Sequence, residues 1–319
     1  MREVLGQACS IVGREMVSVE RTIEALLAPA GQQLSAAIEQ AIGAEGKRLR
    51  PALVLLSGRL FSFRRSRLVS IAAAMELVHM ASLVHDDVID RAETRRGRAS
   101  VQQRFGNQVA VLLGDYFLAK ALELVAPMGP NVVGAIAGVV NDLVEGEFAQ
   151  RRMNGSRVSE EAYLASIEYK TARFLATCCR LGARVGGAAQ ELCALLGEYG
   201  RHLGLAFQIR DDVLDLVGSE AHQGKPVGSD LRQGIITLPV IHGMRQERVA
   251  EHLRELLAAE KLDIEGVRHL LVGAGSIDYA LKLAEDHIRQ AKELLTGIPA
   301  SVPREALSAI ADFSIRRVS

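Results

Sequence analysis

Proline placement constrains this chain more than any other feature. The eight prolines stand at 29, 51, 127, 130, 226, 239, 299 and 303, leaving none between residues 52 and 126 or between 131 and 225. A proline inside a helix removes a hydrogen bond and costs about 3 kcal/mol. Two long spans are therefore open to uninterrupted helix. Within them apolar residues recur at steps of three and four, as in Leu68, Ile71, Met75, Val78 and Ala81, and no run alternates like a half-buried strand. The spacing predicts long helices over 67–90, 107–124, 131–152, 159–185 and 190–217, with shorter ones before and after. Turns are expected at Ala126-Pro-Met-Gly-Pro130, at Asn154-Gly155-Ser156 and from Gly218 to Gly228. Ser159 ahead of Glu160 and Glu161 reads as a helix N-cap followed by acids well placed on the dipole. A length prior of about 150 residues per domain suggests two domains. The continuous helical pattern, with no Gly/Ser-rich linker, overrides it. The expectation is an all-α, single-domain bundle spanning 1–319, of about a dozen or more helices.

Composition removes several functions. Lys+Arg and Asp+Glu are both 38, so a broad basic footprint for nucleic acid is not expected. Aromatic residues are 4% of the chain and Trp is missing, which leaves little for base stacking. The four cysteines, Cys9, Cys178, Cys179 and Cys193, form no Cys-x-x-Cys pair and read as small apolar residues in a reducing compartment. The opening MREVLGQACSIVGREMVSVE has no long apolar run and resembles neither a secretory signal nor an anchor. The longest uncharged stretch, Leu124 to Asn141, contains Pro127, Gly129 and Pro130, which would break a spanning helix. A cytoplasmic protein without a transmembrane segment is expected.

Two acidic clusters carry the chemistry. Asp86-Asp87-Val88-Ile89-Asp90 and Asp211-Asp212-Val213-Leu214-Asp215 both place carboxylates at i, i+1 and i+4, each at the end of a long apolar helical pattern. On a helix Asp86 and Asp90 share one face, as do Asp211 and Asp215, with Cβ atoms roughly 5–6 Å apart. One such cluster could simply end a helix at a solvated loop. Two with identical spacing argue for a counter-ion. Neither segment supplies the ligand spacing of a calcium loop. Paired hard oxygen ligands suit Mg²⁺, which keeps several waters and takes substrate phosphates as further ligands. The pattern points to a phosphate-bearing substrate bridged to carboxylates by magnesium.

Cationic residues accompany both clusters. Glu45-Gly-Lys47-Arg48-Leu-Arg50-Pro51 precedes a helix that Pro51 can open. Thr94-Arg95-Arg96-Gly97-Arg98 follows the first acidic cluster, and His79 lies seven residues before Asp86, about two helical turns, on nearly the same face. His85 sits about 100° around the helix from Asp86, which suits a supporting role. Lys170-Thr171, Gln208 and Gly224-Lys225-Pro226 add donors in the second half of the chain. Guanidinium forks and ammonium groups are the usual partners of phosphate oxygens.

Taken in order, these segments resemble the trans-isoprenyl diphosphate synthases, or polyprenyl synthetases. Glu45-Gly-Lys47-Arg-Leu-Arg50-Pro stands where that family usually has Gly-Gly-Lys-Arg-x-Arg-Pro. The run from Glu76 through His79 to Asp90, then Arg95-Arg96-Gly97, matches the family's first aspartate-rich region. Glu145-Gly146-Glu147-Phe-Ala-Gln150 is similar to a short Gly-Glu segment between the clusters. Lys170-Thr171-Ala172, Phe207-Gln208-Ile-Arg-Asp211-Asp-Val-Leu-Asp215 and Gly224-Lys225-Pro-Val-Gly-Ser-Asp230 complete the series. The resemblance implies an all-α fold around a central cavity. It assigns isopentenyl diphosphate to Lys47, Arg50, His79 and Arg96. It assigns the Mg²⁺ ions, three per active site, to Asp86, Asp87, Asp90, Asp211, Asp212 and Asp215, and the allylic diphosphate to Arg95, Lys170, Thr171, Gln208 and Lys225. Lys170 and Lys225 count with the six aspartates as catalytic.

The implied reaction is head-to-tail condensation of isopentenyl diphosphate onto an allylic diphosphate such as farnesyl diphosphate. Ala81 and Ser82, five and four positions before Asp86, are small where short-chain members of the family carry bulky aromatics, so the resemblance implies room for a longer tail and a product near C30–C40. Wording around the first cluster and at Gln233-Gly-Ile-Ile-Thr237-Leu-Pro239 is similar to the large subunit of bacterial heptaprenyl diphosphate synthases, which works with a small, dissimilar regulatory subunit. Most other members of the family are homodimers, and apolar interface helices would serve either assembly. Two rivals are a class I terpene cyclase, which would not need the second set of cationic residues, and a non-catalytic prenyl-binding subunit, in which eroded acids or basic residues would be expected.

Overall fold

Helices occupy most of the computed structural model, which describes residues 11–28, 30–42, 48–95, 97–152, 158–218, 227–259 and 261–315. In chain order they are α1 (Gly13–Leu27), α2 (Gln32–Ile42), α3 (Leu49–Arg59), α4 (Arg65–Ile89), α5 (Val101–Phe105), α6 (Asn107–Val125), α7 (Pro130–Arg152), α8 (Glu160–Ile167), α9 (Arg173–Val185) and α10 (Gln190–Val217). Then follow α11 (Ser229–Arg232), α12 (Leu238–Met244), α13 (Glu247–Ala258), α14 (Ile264–Gly273), α15 (Ser276–Leu295) and α16 (Val302–Ile315). The all-α expectation holds, and the long helices fall within two residues of the expected limits. One exception is the span 159–185, where α8 and α9 are joined by a π-helical turn at Glu168–Ala172. The other is a small antiparallel hairpin, β1 (Thr94–Arg95) with β2 (Arg98–Ala99), turning through Gly97 at φ +75°. Ser159 caps α8 as its sequence suggests, its hydroxyl accepting from the Ala162 N–H at 3.2 Å. The expected turns at 154–156 and 219–226 lie outside the described residues.

The chain divides into two units, each drawn from three separated segments. The first comprises residues 1–141, 175–200 and 294–310. Its axis is α4, which buries residues on every side: Leu68, Ile71 and Met75 are wholly inaccessible and Val78 and Ala81 nearly so. A helix apolar all round belongs in a core, and α4 packs on α1, α3 and α6. It is long and apolar enough to cross a membrane, but most of it is buried within the protein. Each large aliphatic side chain so enclosed contributes about 1.5–3 kcal/mol. At Gly114 on α6 an added Cβ would strike the His85 ring, so glycine here lets α4 and α6 meet. Cys178 and Cys179 are buried free thiols in this unit; burial pushes both upward in pKa, Cys179 to about 12. Such thiols are inert, as their sequence context implies. Cys9 lies outside the described residues.

The second unit comprises residues 142–174, 201–293 and 311–319. Its core gathers Tyr163, Ile167, Leu203, Ile209, Val213, Val240 and Ile241. The Arg210 guanidinium donates to the Ser314 carbonyl, and Lys292 meets Asp312 at 2.7 Å, both tying the last residues of α16, from 311 on, to the rest of this unit.

Candidate active site

In the first unit the acidic triplet closes α4. Asp87 is buried and Asp86 half-buried, while Asp90 forms the C-cap and is exposed. The i, i+4 relation puts Asp86 and Asp90 on one face, as the spacing required. Three acids at a helix C-terminus oppose the dipole, so their position needs compensation. Part of it comes from the hairpin: Arg95 Nε donates to Asp87 Oδ1 at 2.8 Å, and its Nη2 reaches the same oxygen. Arg95, expected on the allylic diphosphate, therefore sits directly against the first acidic cluster. His85 is fixed to α6, its Nε2 3.1 Å from the Val111 carbonyl, which agrees with a supporting role. Ser82 turns its hydroxyl onto its own helix, donating to the His79 carbonyl at 2.9 Å. His79 and Arg50 are both half-buried. Lys47 and Arg96 lie outside the described residues.

Sequence reasoning gave no role to Arg48 or Glu76. Arg48 adopts a left-handed backbone, φ +50°, just ahead of α3. Its guanidinium donates to buried Glu76 at 2.7 Å and lies 3.8 Å from Glu20. Glu76 is one helical turn before His79, so the segment bearing Arg50 is tied to the helix bearing His79. A carboxylate inside the otherwise apolar run 68–81 was the available signal.

The second unit is organised around the π turn. Two glycines make room for it: a Cβ on Gly146 would lie 2.8 Å from the Lys170 backbone nitrogen, and one on Gly204 2.5 Å from the Ala172 Cα. Helix α7 thereby brings Glu147 and Gln150 to Lys170, whose ammonium donates to them at 2.7 and 2.9 Å. Thr171 donates to Gln208 Oε1 at 2.8 Å, and Gln208 Nε2 donates to Asp212 Oδ1 at 2.8 Å. Asp212 Oδ2 accepts from the Tyr163 hydroxyl at 2.7 Å. The structure thus joins Thr171, Gln208 and Asp212, three residues singled out by sequence, in one series of hydrogen bonds, and adds at its Asp212 end a tyrosine that was not. No local sequence pattern marks Tyr163, which meets Asp212 across 49 positions of chain. Asp215 is buried and accepts from the Asp230 N–H at 3.0 Å, whereas Asp211 faces solvent. Burial drives Asp212 to a pKa of about 8, helped by the nearby charge of Asp230, while the bonds from Tyr163 and Gln208 pull it back. Lys225 lies outside the described residues.

Among the described residues no three His, Cys, Asp or Glu side chains gather closely enough to hold an ion by themselves. Magnesium does not require that: it is usually held by one or two carboxylates, waters and substrate phosphates. All-oxygen donors suit a hard cation completed by a phosphate ligand.

Comparison with known proteins agrees with this chemistry. Residues 31–272 match the family model for polyprenyl synthetase. The chain is 40% identical over 313 residues to a short chain isoprenyl diphosphate synthase of Methanothermobacter thermautotrophicus, covering 93% of this chain and 94% of that one. It is 35% identical over 306 residues to heptaprenyl diphosphate synthase component 2 of Geobacillus stearothermophilus, covering 95% of each. A polyprenyl synthase of Caulobacter crescentus, solved with calcium and isoprenyl diphosphate, superposes with a TM-score of 0.93 at 33% identity, over 99% of this chain and 98% of that one. The chain belongs to the polyprenyl synthetase family and is a prenyltransferase that builds prenyl diphosphates.

Proposed function

We propose that this enzyme condenses isopentenyl diphosphate head-to-tail onto an allylic diphosphate such as farnesyl diphosphate, in the presence of Mg²⁺, to give an all-trans product near C30–C40. The observation that carries the reading is the Thr171–Gln208–Asp212 chain, which unites the expected diphosphate donors with an expected metal carboxylate in one hydrogen-bonded series. In this reading Asp86, Asp87, Asp90, Asp211, Asp212 and Asp215 hold three Mg²⁺ ions. Those ions supply electrostatic stabilisation of the charge that develops on the departing diphosphate. Arg95, Lys170, Thr171, Gln208 and Lys225 bind and orient that allylic diphosphate, Lys170 and Lys225 adding positive charge as it leaves. Lys47, Arg50, His79 and Arg96 hold isopentenyl diphosphate so that its double bond meets the allylic carbon before water does. No side-chain nucleophile is needed, and the departing pyrophosphate can accept the proton lost on condensation.

Product length is the finer part of the proposal, since the relatives range from a short chain synthase to octaprenyl and nonaprenyl diphosphate synthases. It rests on the small side chains at Ala81 and Ser82. The proposed location is the cytoplasm, in keeping with buried free thiols. Assembly is proposed as a homodimer or as a heterodimer with a small regulatory subunit; two relatives named component 2, from Geobacillus stearothermophilus and Bacillus subtilis, support the second form. One experiment tests the whole reading. The purified chain is incubated with farnesyl diphosphate, isopentenyl diphosphate and Mg²⁺, with and without a candidate small subunit, and the products are separated by chain length. Longer prenyl diphosphates are expected, and Asp86→Ala or Asp211→Ala should abolish them in folded protein. Cyclised hydrocarbon formed without isopentenyl diphosphate would select the terpene cyclase reading. Binding of prenyl diphosphate without turnover under every condition would select a non-catalytic subunit.

A further inference from the structure

We infer that Tyr163 is a positioning residue for the metal-binding acids of the second cluster, acting through Asp212. The inference rests on the reading above, in which Asp212 holds Mg²⁺ and Thr171 and Gln208 bind the allylic diphosphate. Tyr163 is itself too enclosed to meet substrate, with 2% of its surface exposed. Its ring sits in the core of the second unit and its hydroxyl projects onto Asp212 Oδ2 at 2.7 Å. A buried tyrosine hydroxyl needs a partner, and here the partner is a carboxylate 5% exposed.

The directions of the bonds matter more than their number. Asp212 receives a donor on each oxygen, Gln208 Nε2 on Oδ1 and the Tyr163 hydroxyl on Oδ2. With a donor on each oxygen, the plane of the carboxyl group is fixed. Gln208 is fixed in turn, because its Oε1 accepts from Thr171. Thr171 belongs to the π turn, and π turns occur where a helix must re-aim side chains at a functional site. Tyr163 lies on α8, which runs directly into that turn. One helical segment therefore supplies both ends of the series: Tyr163 grips Asp212 from one side, and Thr171 grips it through Gln208 from the other. Without the tyrosine hydroxyl, Asp212 keeps one donor and can rotate about its terminal torsion, which is broad for aspartate. Residues that orient metal ligands typically matter 10–100-fold in metal affinity or activity.

The variant is Tyr163→Phe, which removes one oxygen and keeps the ring. The wild-type chain is first shown to condense isopentenyl diphosphate; if it condenses nothing, the functional reading fails before the tyrosine is tested. Binding of Mg²⁺ with inorganic pyrophosphate is then measured by calorimetry, alongside the Mg²⁺ dependence of turnover. Tyr163→Phe should weaken Mg²⁺–pyrophosphate binding and raise the Mg²⁺ concentration for half-maximal rate by about 10–100-fold, while leaving the KM for isopentenyl diphosphate unchanged. Asp212→Asn should weaken pyrophosphate binding similarly, and adding Tyr163→Phe to it should cause no further loss. Wild-type Mg²⁺–pyrophosphate binding in folded Tyr163→Phe would overturn the inference. So would losses that simply add in the double variant. Should Tyr163→Phe melt below the assay temperature, Asp212→Asn decides alone, and wild-type binding by it overturns the inference.

Discussion

Replacing Arg48 separates two opposing energies at one residue. Its guanidinium forms an ion pair with Glu76 at 2.7 Å, the arginine side chain 20% exposed and the glutamate 4%. Removing one partner of a fully buried pair costs about 3–5 kcal/mol, because the other charge is left stranded. The partial exposure of Arg48, which screens the pair, lowers the expectation to roughly 2–3 kcal/mol. The more distant approach to Glu20, at 3.8 Å with half its side chain in water, adds little. Against this stands the backbone: φ of +50° costs a residue with a Cβ about 1–2 kcal/mol relative to glycine. Arg48→Met loses the pair and keeps the strain. Arg48→Gly loses the pair and releases the strain, offset in part by the entropy of an added glycine in the unfolded chain. Arg48→Met should therefore lower the melting temperature by several degrees and Arg48→Gly by less, with about 1 kcal/mol between them. Thermal and denaturant melts followed by circular dichroism measure both. Wild-type stability in Arg48→Met would show that the pair contributes nothing. Greater loss in Arg48→Gly than in Arg48→Met would refute the strain argument.

Other expectations test separate parts of the molecule. Gly146→Ala should cost activity about 10-fold or more with modest loss of stability, since its methyl would press within 2.8 Å of the Lys170 nitrogen and displace the π turn; steady-state rates beside a melt decide this, and an unchanged rate would show that the turn tolerates the shift. Burial, then the neighbouring His202 and Arg201, holds His287 down to about 4, with Asp286 opposing. The unfolded chain takes up that proton near pH 6.5 and the folded chain only near 4. Stability from this group is present above pH 6.5 and declines as pH falls toward 4. His287→Gln should flatten the melting temperature between pH 7 and pH 5, and an unaltered slope would assign the dependence elsewhere. Ser82→Phe should shorten the product, read by chromatography. It is a cleaner test than Ala81→Phe, because Ala81 is 1% exposed and a phenyl group there would overpack the core of the first unit; an unchanged product from Ser82→Phe would refute the chain-length proposal.

The helical plan was legible because burial imposes a period on sequence. Leu68, Ile71, Met75, Val78 and Ala81 announce α4, and all five are buried. The π turn was not legible: one extra residue in one turn leaves the apolar period of 159–185 almost untouched, and only Gly146 and Gly204 mark the crowding around it. The hairpin at 94–99 was missed because two-residue strands cannot show alternation. At the site, residue types pointed to the acids, but the spacing could not say which are buried. Asp211 and Asp215 share a helical face, yet Asp211 is exposed and Asp215 buried, where it accepts the Asp230 N–H of α11. The partners were the least legible part. Glu76, Glu147 and Tyr163 meet Arg48, Lys170 and Asp212 across 28, 23 and 49 positions of chain, and no local pattern encodes such pairings.

The two acidic clusters look alike in sequence but are stabilised differently, and that difference has a measurable consequence. Asp87 is met by a cation, Arg95, through Nε and Nη2. Asp212 is met by neutral donors, Tyr163 and Gln208, and lies near the charges of Asp230 and Asp211. Without divalent ions, Asp87→Asn weakens a charge-assisted bond and should destabilise by about 1–2 kcal/mol, the lower part of the range because Arg95 keeps a third of its side chain in water. Asp212→Asn is different. The amide oxygen can still accept from Gln208, the amide N–H can donate to the Tyr163 oxygen, and the cost of keeping a carboxyl group buried beside acidic neighbours is gone. That variant should match or exceed wild-type stability in the presence of chelator while losing Mg²⁺-dependent gain on adding pyrophosphate, the trade expected where a carboxylate is retained for binding rather than for folding. Parallel melts of the two variants, with chelator and then with Mg²⁺ and pyrophosphate, test the contrast. Equal destabilisation of both in chelator would show that neutral donors stabilise Asp212 as well as a guanidinium stabilises Asp87.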